Sequence, residues 1–367
     1  MVKGTSKAAQ AATAALTRQV APPQWTDPKA RISTGCTLLN LACSGFTDWA
    51  TAAGQYIYFV GDSASGKTML VMQLFAEAAR NPYFDGYNLI FDNAENGALM
   101  DIPRLFGKRA AARMRSPARG NSKTVEEFYY SARSEMDATP CLYILDSMDC
   151  LGTRAGAKKQ VEMDVEIRGG KKAKGTYGMD KARANSDGLR DLMDKLRDTG
   201  SLLVVISQTR DNVDAGLFEP KKQHSGGHAL DFYAHLTIWT SNAGTIKKQV
   251  NAIDRPVGIT VKAAVKKNRV NGLQRTIQVP LYPSVGVDDL GGCIAYLLTE
   301  GRWKMDGGAI ITEFLDPTTK EPIKGNLEKV VAKLEALDLE GDVRAVVQEV
   351  WDEVESRCRI NRKSRYE

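Results

Sequence analysis

The residues best placed by type and spacing to do chemistry are GDSASGKT, Gly61 to Thr68. Two glycines five apart, then lysine and a hydroxyl residue, fit a loop that holds a nucleotide's phosphates. Gly61 and Gly66 let the backbone curl, so that the N–H groups of Asp62, Ser63, Ala64 and Ser65 converge on phosphate oxygens. Lys67 can neutralise the outer phosphates, and the Thr68 hydroxyl can reach a magnesium ion. Such a pattern arises by chance in roughly one chain in a hundred of this length. An ordinary glycine-rich turn is the bland alternative. Its setting argues against that, because a strand runs in and a helix runs out.

A magnesium ion needs a second oxygen ligand. LYILD (142–146) ends an apolar strand in Asp146, at the strand end where ligands bind in open α/β sheets. Two further polar residues close apolar runs, Glu95 after NLIFDNA and Gln208 after LLVVIS. A carboxylate in the position of Glu95 can orient and deprotonate water, although a lone glutamate is more often solvated. An amide at Gln208 can bond phosphate and backbone at once, or simply cap a strand.

These residues need a scaffold. QYIYFV (55–60), NLIFD (88–92), CLYILD (141–146), SLLVVISQ (201–208), HLTIWTS (235–241) and GITVKAAVKK (258–267) read as strands. Lys67–Arg80, Val125–Met136 and Asp187–Asp198 read as helices, and Asn326–Arg357 reads as a helical tail. The alternation predicts an α/β fold with a mostly parallel central sheet flanked by helices. Residues 1–30 read as a short N-terminal arm, either a frayed tail or a segment that docks on a neighbouring subunit, 31–304 as the core, and 305–367 as a small helical C-terminal region. The stretches 152–185 and 209–226 lack any clear period and read as long loops.

The 367 residues carry a net charge of +6, and 43% are apolar, so the chain is globular and mildly basic. No cysteine pair has C-x-x-C spacing, and no apolar run is long enough to span a bilayer. A cytoplasmic protein is expected, with no membrane partner. Cys141 and Cys150 read as small core residues. His224 and His228 stand four apart, but the glycines between them argue against a helical metal pair.

The order of motifs resembles the RecA/RadA family of recombinases across about residues 31–304. RISTGCTLLNLACSG (31–45), FDNAENG (91–97), ILDSMDCL (144–151), VVISQTR (204–210), SGGHALDFYAHLTIWTS (225–241) and VKKNRVNG (265–272) follow one another as the family's segments do. The resemblance implies a RecA-like ATPase core that binds ATP with Mg²⁺. It puts Glu95 in the role of catalytic base and Asp146 in that of metal ligand. Gln208 becomes a sensor of the γ-phosphate, and Lys267 and Arg269 become cations that reach a neighbouring subunit's ATP. Viral (phage-type) and cellular origins both stay open. A viral member would work in the host cytoplasm, a cellular one at the nucleoid.

The resemblance also makes 152–185 and 209–226 DNA-facing loops. Their candidate contacts are Arg154, Lys158, Lys159, Arg168, Lys171, Lys172 and Lys174 in the first, and Arg210, Lys221 and Lys222 in the second. Tyr177 and Phe218 are candidates to stack on bases. Flexible basic loops neutralise phosphates without reading sequence. GGKKAKG (169–175) has no counterpart in the family pattern, and the first loop is longer and more basic than the family's. The function implied is a DNA-dependent ATPase that forms homo-oligomeric filaments on single-stranded DNA and promotes pairing and strand exchange with duplex DNA. Two rivals share the core: a ring-forming helicase or translocase, and a non-catalytic ATP-binding recombination mediator.

Overall fold

The computed structural model describes residues 27–97, 100–158, 178–211, 222–224, 226–360, 362 and 365. β1 (Arg31–Ile32) and β2 (Thr51–Ala52) make a small antiparallel pair at the start. The central sheet takes β3 (Tyr56–Gly61), β4 (Asn88–Asn93), β5 (Met114–Arg115), β6 (Cys141–Asp146) and β7 (Leu202–Asp211). It continues with β8 (Lys222–His224), β9 (Leu236–Val250), β10 (Ile253–Asn268), β11 (Thr276–Tyr282) and β12 (Gly286–Val287). Its order is β12-β11-β10-β9-β3-β7-β6-β4-β5, with β8 paired to β7. From β9 to β5 every neighbouring pair is parallel; β10 to β12 are added antiparallel.

Parallel strands covered on both faces must be apolar throughout. β3 and β6 obey this, being buried at every position. Their alternate residues feed two cores. Ile57 and Phe59 face one cluster, with Leu70, Leu74 and Phe75 of α2 (Lys67–Arg80), while Tyr56, Tyr58 and Val60 face the other. That second cluster is closed by α5 (Val125–Ala138) and α6 (Gly178–Thr199). Each fully buried Leu or Phe contributes about 1.5–3 kcal/mol. The remaining helices are α1 (Thr37–Ser44), α3 (Ile102–Phe106), α4 (Lys108–Arg113) and α7 (Ala229–Tyr233). After them come α8 (Asp289–Thr299), α9 (Leu327–Ala336) and α10 (Glu340–Cys358). The fold is α/β, with a large mixed, mostly parallel sheet flanked by helices, as a RecA-like core requires.

Four elements depart from the sequence reading. Helix α6 begins at Gly178, so residues 178–185 of the expected first loop are helical. After Met179, its next large apolar residue is Leu189. The turns before it present Ala182, Asn185 and Gly188, and a Cβ on Gly188 would lie 2.3 Å from the Tyr129 ring. Close packing through small residues leaves no amphipathic period to read. The second expected loop has strand at its roots, since Thr209 pairs with His224 and Asp211 with Lys222. Strands β9 and β10 run far past their apolar halves into an exposed ribbon. Its turn, Asn251–Ala252, has both φ angles positive, the geometry of a tight two-residue hairpin. In the tail the helix breaks at Asp338, where φ is 55°.

The C-terminal region also holds a three-stranded sheet of β13 (Lys304–Asp306), β14 (Ala309–Leu315) and β15 (Pro322–Gly325). The expected boundary at 304/305 therefore falls within β13. Ile310, Ile323, Val330, Leu334, Val347 and Trp351 join the same apolar cluster as Ile57 and Phe59. Cys141 is buried as expected, whereas Cys150 is exposed. Among the described residues no helix is long and apolar enough to cross a membrane. Of the arm, only residues 27–30 are described.

Candidate active site at the carboxyl edge of the sheet

The loop from Gly61 to Thr68 leaves the end of β3 and enters α2. Its glycines are required sterically. A Cβ on Gly61 would lie 2.3 Å from the Thr240 hydroxyl and 2.4 Å from its carbonyl oxygen. Gly66 caps α2 at φ 79°, and a Cβ there would meet Val261 at 2.8 Å. The Ser65 hydroxyl donates to the Asp62 carbonyl (2.7 Å) and lies 2.8 Å from the Thr240 hydroxyl, which fixes the curl. Around this loop is a cavity of about 310 Å³, lined by loop residues 63–68 with Glu95, Met100, Asp146, Gln208 and others.

Lys67 is 7% exposed, and its ammonium donates to the carbonyls of Gly61 (2.9 Å) and Asp62 (2.6 Å). Burial lowers its pKa; Asp146 and Glu95 oppose that fall. The Thr68 hydroxyl donates to Asp146 Oδ2 at 2.7 Å, joining two residues 78 apart in the chain. Burial raises the Asp146 pKa, and the bond from Thr68 and the charge of Lys67 partly offset it. A hydroxyl and a carboxylate side by side are the hard oxygen donors that suit magnesium.

Glu95 lies in the turn after β4, where its N–H donates to the Asp146 carbonyl (3.1 Å). Its carboxylate accepts from the Ser147 hydroxyl and from Gln208 Nε2 (3.1 Å). Gln208 is itself held through its backbone, because Asp149 Oδ2 accepts from the Gln208 N–H (2.6 Å) and the Ser207 hydroxyl (2.7 Å). The Thr209 hydroxyl donates to the Asp62 carboxylate, tying β7 to the phosphate loop. Asp149 and Thr209 escaped the sequence reading. The signal for Asp149 is slight, one acid three residues past Asp146 in DSMDC.

Lys67, Thr68, Glu95, Asp146 and Gln208 therefore converge. Lys267 and Arg269 do not join them. Lys267 pairs with Thr237, beside the start of β3, while Ala263 pairs with Thr240, beside its end at Gly61. The two cations thus stand at the opposite end of the sheet. Lys267 donates to the carbonyls of Asp231 and Phe232 (both 2.6 Å), and Arg269 to that of Phe232 (3.0 Å). Phe232 beneath them is 63% exposed. Burial lowers the Lys267 pKa, and Arg269 adds to the fall.

Of the expected DNA contacts, Arg154 and Lys158 are exposed at the root of the first loop. Lys159, Arg168, Lys171, Lys172, Lys174 and Lys221 lie outside the described residues, as do Tyr177 and Phe218. Arg210 and Lys222 are described only as strand positions. Two residues the sequence did not flag organise the loop roots. The Lys181 ammonium donates to the carbonyls of Met148 (2.6 Å) and Leu151 (2.9 Å). Asn185 Nδ2 donates to the Gly226 carbonyl (2.8 Å). Helix α6 thereby anchors the start of one loop and the end of the other.

The family model described as RecA N-terminal domain matches residues 145–288. That span covers Asp146, Gln208 and the Lys267–Arg269 pair but stops short of the phosphate loop. Protein RecA of Trichormus variabilis is 25% identical over 301 residues, 79% of this chain and 75% of that protein. Protein RecA of Delftia acidovorans is 25% identical over 269 residues, 72% and 67% of the two chains. Protein RecA of Ureaplasma parvum is 23% identical over 254 residues, 69% of each. The model match and these relatives together support a RecA-family protein.

Proposed function

We propose that the chain is a recombinase-type, DNA-dependent ATPase. It assembles into filaments on single-stranded DNA and promotes homologous pairing and strand exchange with duplex. The observation that carries the nucleotide reading is Lys67. A buried cation, with no ion pair among the described residues, bends back onto its own loop carbonyls. A polyphosphate would give the ammonium the direct anionic partner that its loop carbonyls are not.

The donor set fits ATP and Mg²⁺. The loop N–H groups and Lys67 would hold the phosphates, and Thr68 with Asp146 would hold the metal, which would supply positive charge against the phosphates. Glu95 takes the proton of the attacking water, held in place by Ser147 and Gln208. Gln208 also begins the approach to the second loop, so a phosphate that draws its amide from Glu95 shifts the start of that loop. Lys267 and Arg269, at the far end of the sheet, act on the nucleotide of an adjoining subunit in a head-to-tail assembly. The basic loops neutralise DNA phosphates.

The test is ATP hydrolysis with and without single-stranded DNA, with the same samples imaged by negative-stain microscopy. DNA-stimulated turnover on extended filaments is expected. Closed rings that unwind duplex would replace the reading with a translocase. Neither stimulation nor assembly would replace it with a mediator.

A further inference from the structure

A second cavity, of about 500 Å³, opens beside the root of the first loop. It is lined by Arg119, Lys123, Tyr130, Ser131, Glu127 and Arg154 among others. The capping box of α5 builds it. Thr124 caps the helix by accepting from the Glu127 N–H (3.2 Å), and Glu127 accepts in return from the N–H groups of Lys123 (2.9 Å) and Thr124 (3.3 Å). The one lining carboxylate is therefore committed to backbone donors. The bridge from Thr124 to Gly152 fastens this corner to the loop root: Gly152 N–H donates to the Lys123 carbonyl (3.0 Å) and Val125 N–H to that of Gly152 (2.9 Å).

Three cations line the cavity, and none has an ion pair among the described residues. The Arg119 guanidinium rests 4.5 Å from the centre of the Tyr130 ring, and Tyr130 is still 50% exposed. A guanidinium stacked on an exposed phenol, with two further cations lining the same cavity, suits an unpaired nucleotide. The ring and guanidinium planes offer a base its stacking surface, and Lys123 and Arg154 neutralise the flanking phosphates. Duplex DNA would meet the same charges but has no free base face for Tyr130.

We infer that the cavity formed by Arg119, Lys123 and Tyr130 is a binding site for single-stranded DNA, outside the two loops and continuous with the first through Arg154. This rests on the DNA-binding reading above. Its failure is separable from the failure of that reading, since none of the three residues lines the phosphate-loop cavity or lies in either loop.

Fluorescence anisotropy with labelled oligo-deoxythymidine, across a salt series, tests it. For Arg119→Ala/Lys123→Ala, the slope of log affinity against log salt should fall by about 1.4, two contacts at about 0.7 each. Tyr130→Ala should lose at least about fivefold in affinity, and DNA-free ATP hydrolysis should be unchanged in both. In the wild-type chain, photolysis of an oligonucleotide carrying 5-iodouracil should place an adduct on Tyr130, a readout that needs no variant. Wild-type binding with unaltered slope and affinity in both variants, or with no adduct in residues 119–130, would overturn this site alone. No binding by the wild-type chain would overturn both this site and the DNA reading. Lost self-association at unchanged DNA affinity would assign the surface to a second copy of the chain.

Discussion

The two ends of the central sheet solve opposite problems. At the carboxyl end of β3, β6 and β7, the chain's polar side chains hold one another in place. Asp146 has Thr68, and Glu95 has Ser147 and Gln208. Lys67 stands between Asp146 and Glu95, which raise its pKa against burial. At the other end, Lys267 and Arg269 gather on backbone carbonyls of α7 above a largely exposed Phe232. The first arrangement is a set of groups waiting for a small ligand. The second is positive charge held in place on backbone carbonyls, its acidic neighbour Asp231 accepting from the Thr237 hydroxyl, as a surface that meets a neighbour's anion would be. Under the proposed function these are two halves of one site, which a single chain would not close on itself because the sheet holds them apart.

The largest effect expected is at the first half. Lys67→Ala should leave no measurable turnover, a loss beyond about 10³-fold, in a steady-state hydrolysis assay. Normal turnover would remove the phosphate loop from the chemistry. The second half comes next. Lys267→Ala/Arg269→Ala should lower DNA-stimulated hydrolysis by about 10³-fold, the lower range for a cation supplied in trans, while nucleotide binding followed by fluorescence stays intact. Mixing these two inactive variants sharpens the contrast. Partial recovery of the rate means that the two ends meet across a subunit contact, and no recovery means that they do not.

Glu95→Gln should cost about 10²-fold in turnover with metal-dependent nucleotide affinity kept, because the amide can still accept from Ser147 and Gln208. Equal loss of binding and turnover would make Glu95 a structural residue. The smallest effect concerns the far end. His235 Nδ1 accepts from the Tyr56 N–H (3.1 Å), and burial beside Arg269 and Lys267 lowers its pKa to about 4. The unfolded chain, with an ordinary histidine pKa near 6.5, takes up the proton first. Stability from this group is thus complete above about pH 6.5 and drains away as pH falls toward 4, by at most about 1.4 kcal/mol per pH unit. Urea midpoints between pH 7 and 5 should fall for the wild-type chain and flatten for His235→Gln. Parallel curves would exclude His235 as the cause.

Where a residue's place follows from its neighbours in the chain, it was legible before any coordinates. Gly61, Gly66, Lys67 and Thr68 are spaced by the geometry of one turn entering one helix, and α2 runs over the residues expected, Lys67–Arg80. Strand β6 likewise runs Cys141–Asp146, since a parallel strand buried on both faces must be an unbroken apolar run. The fold class follows from such runs alternating with amphipathic helices.

Other features depend on groups far apart in the chain, which no local pattern records. Asp149 is unremarkable in its own segment; its carboxylate acquires meaning only when β7 brings Ser207 and Gln208 beside it, 58 and 59 residues on. The first turns of α6 were hidden because small residues, chosen for close approach to Tyr129, carry no hydrophobic signal. The basic cavity unites Arg119, Lys123 and Tyr130 with Arg154 through the bridge at Gly152 and the Glu126 carboxylate, which accepts from the Arg154 N–H. The sequence determined which side chains are candidates for the proposed chemistry, since the phosphate-loop pattern is set by residue types at short spacings. The tertiary structure decided which of those side chains share a site, because only the strand order of the sheet sets Lys67 beside Asp146 and leaves Lys267 at the opposite end.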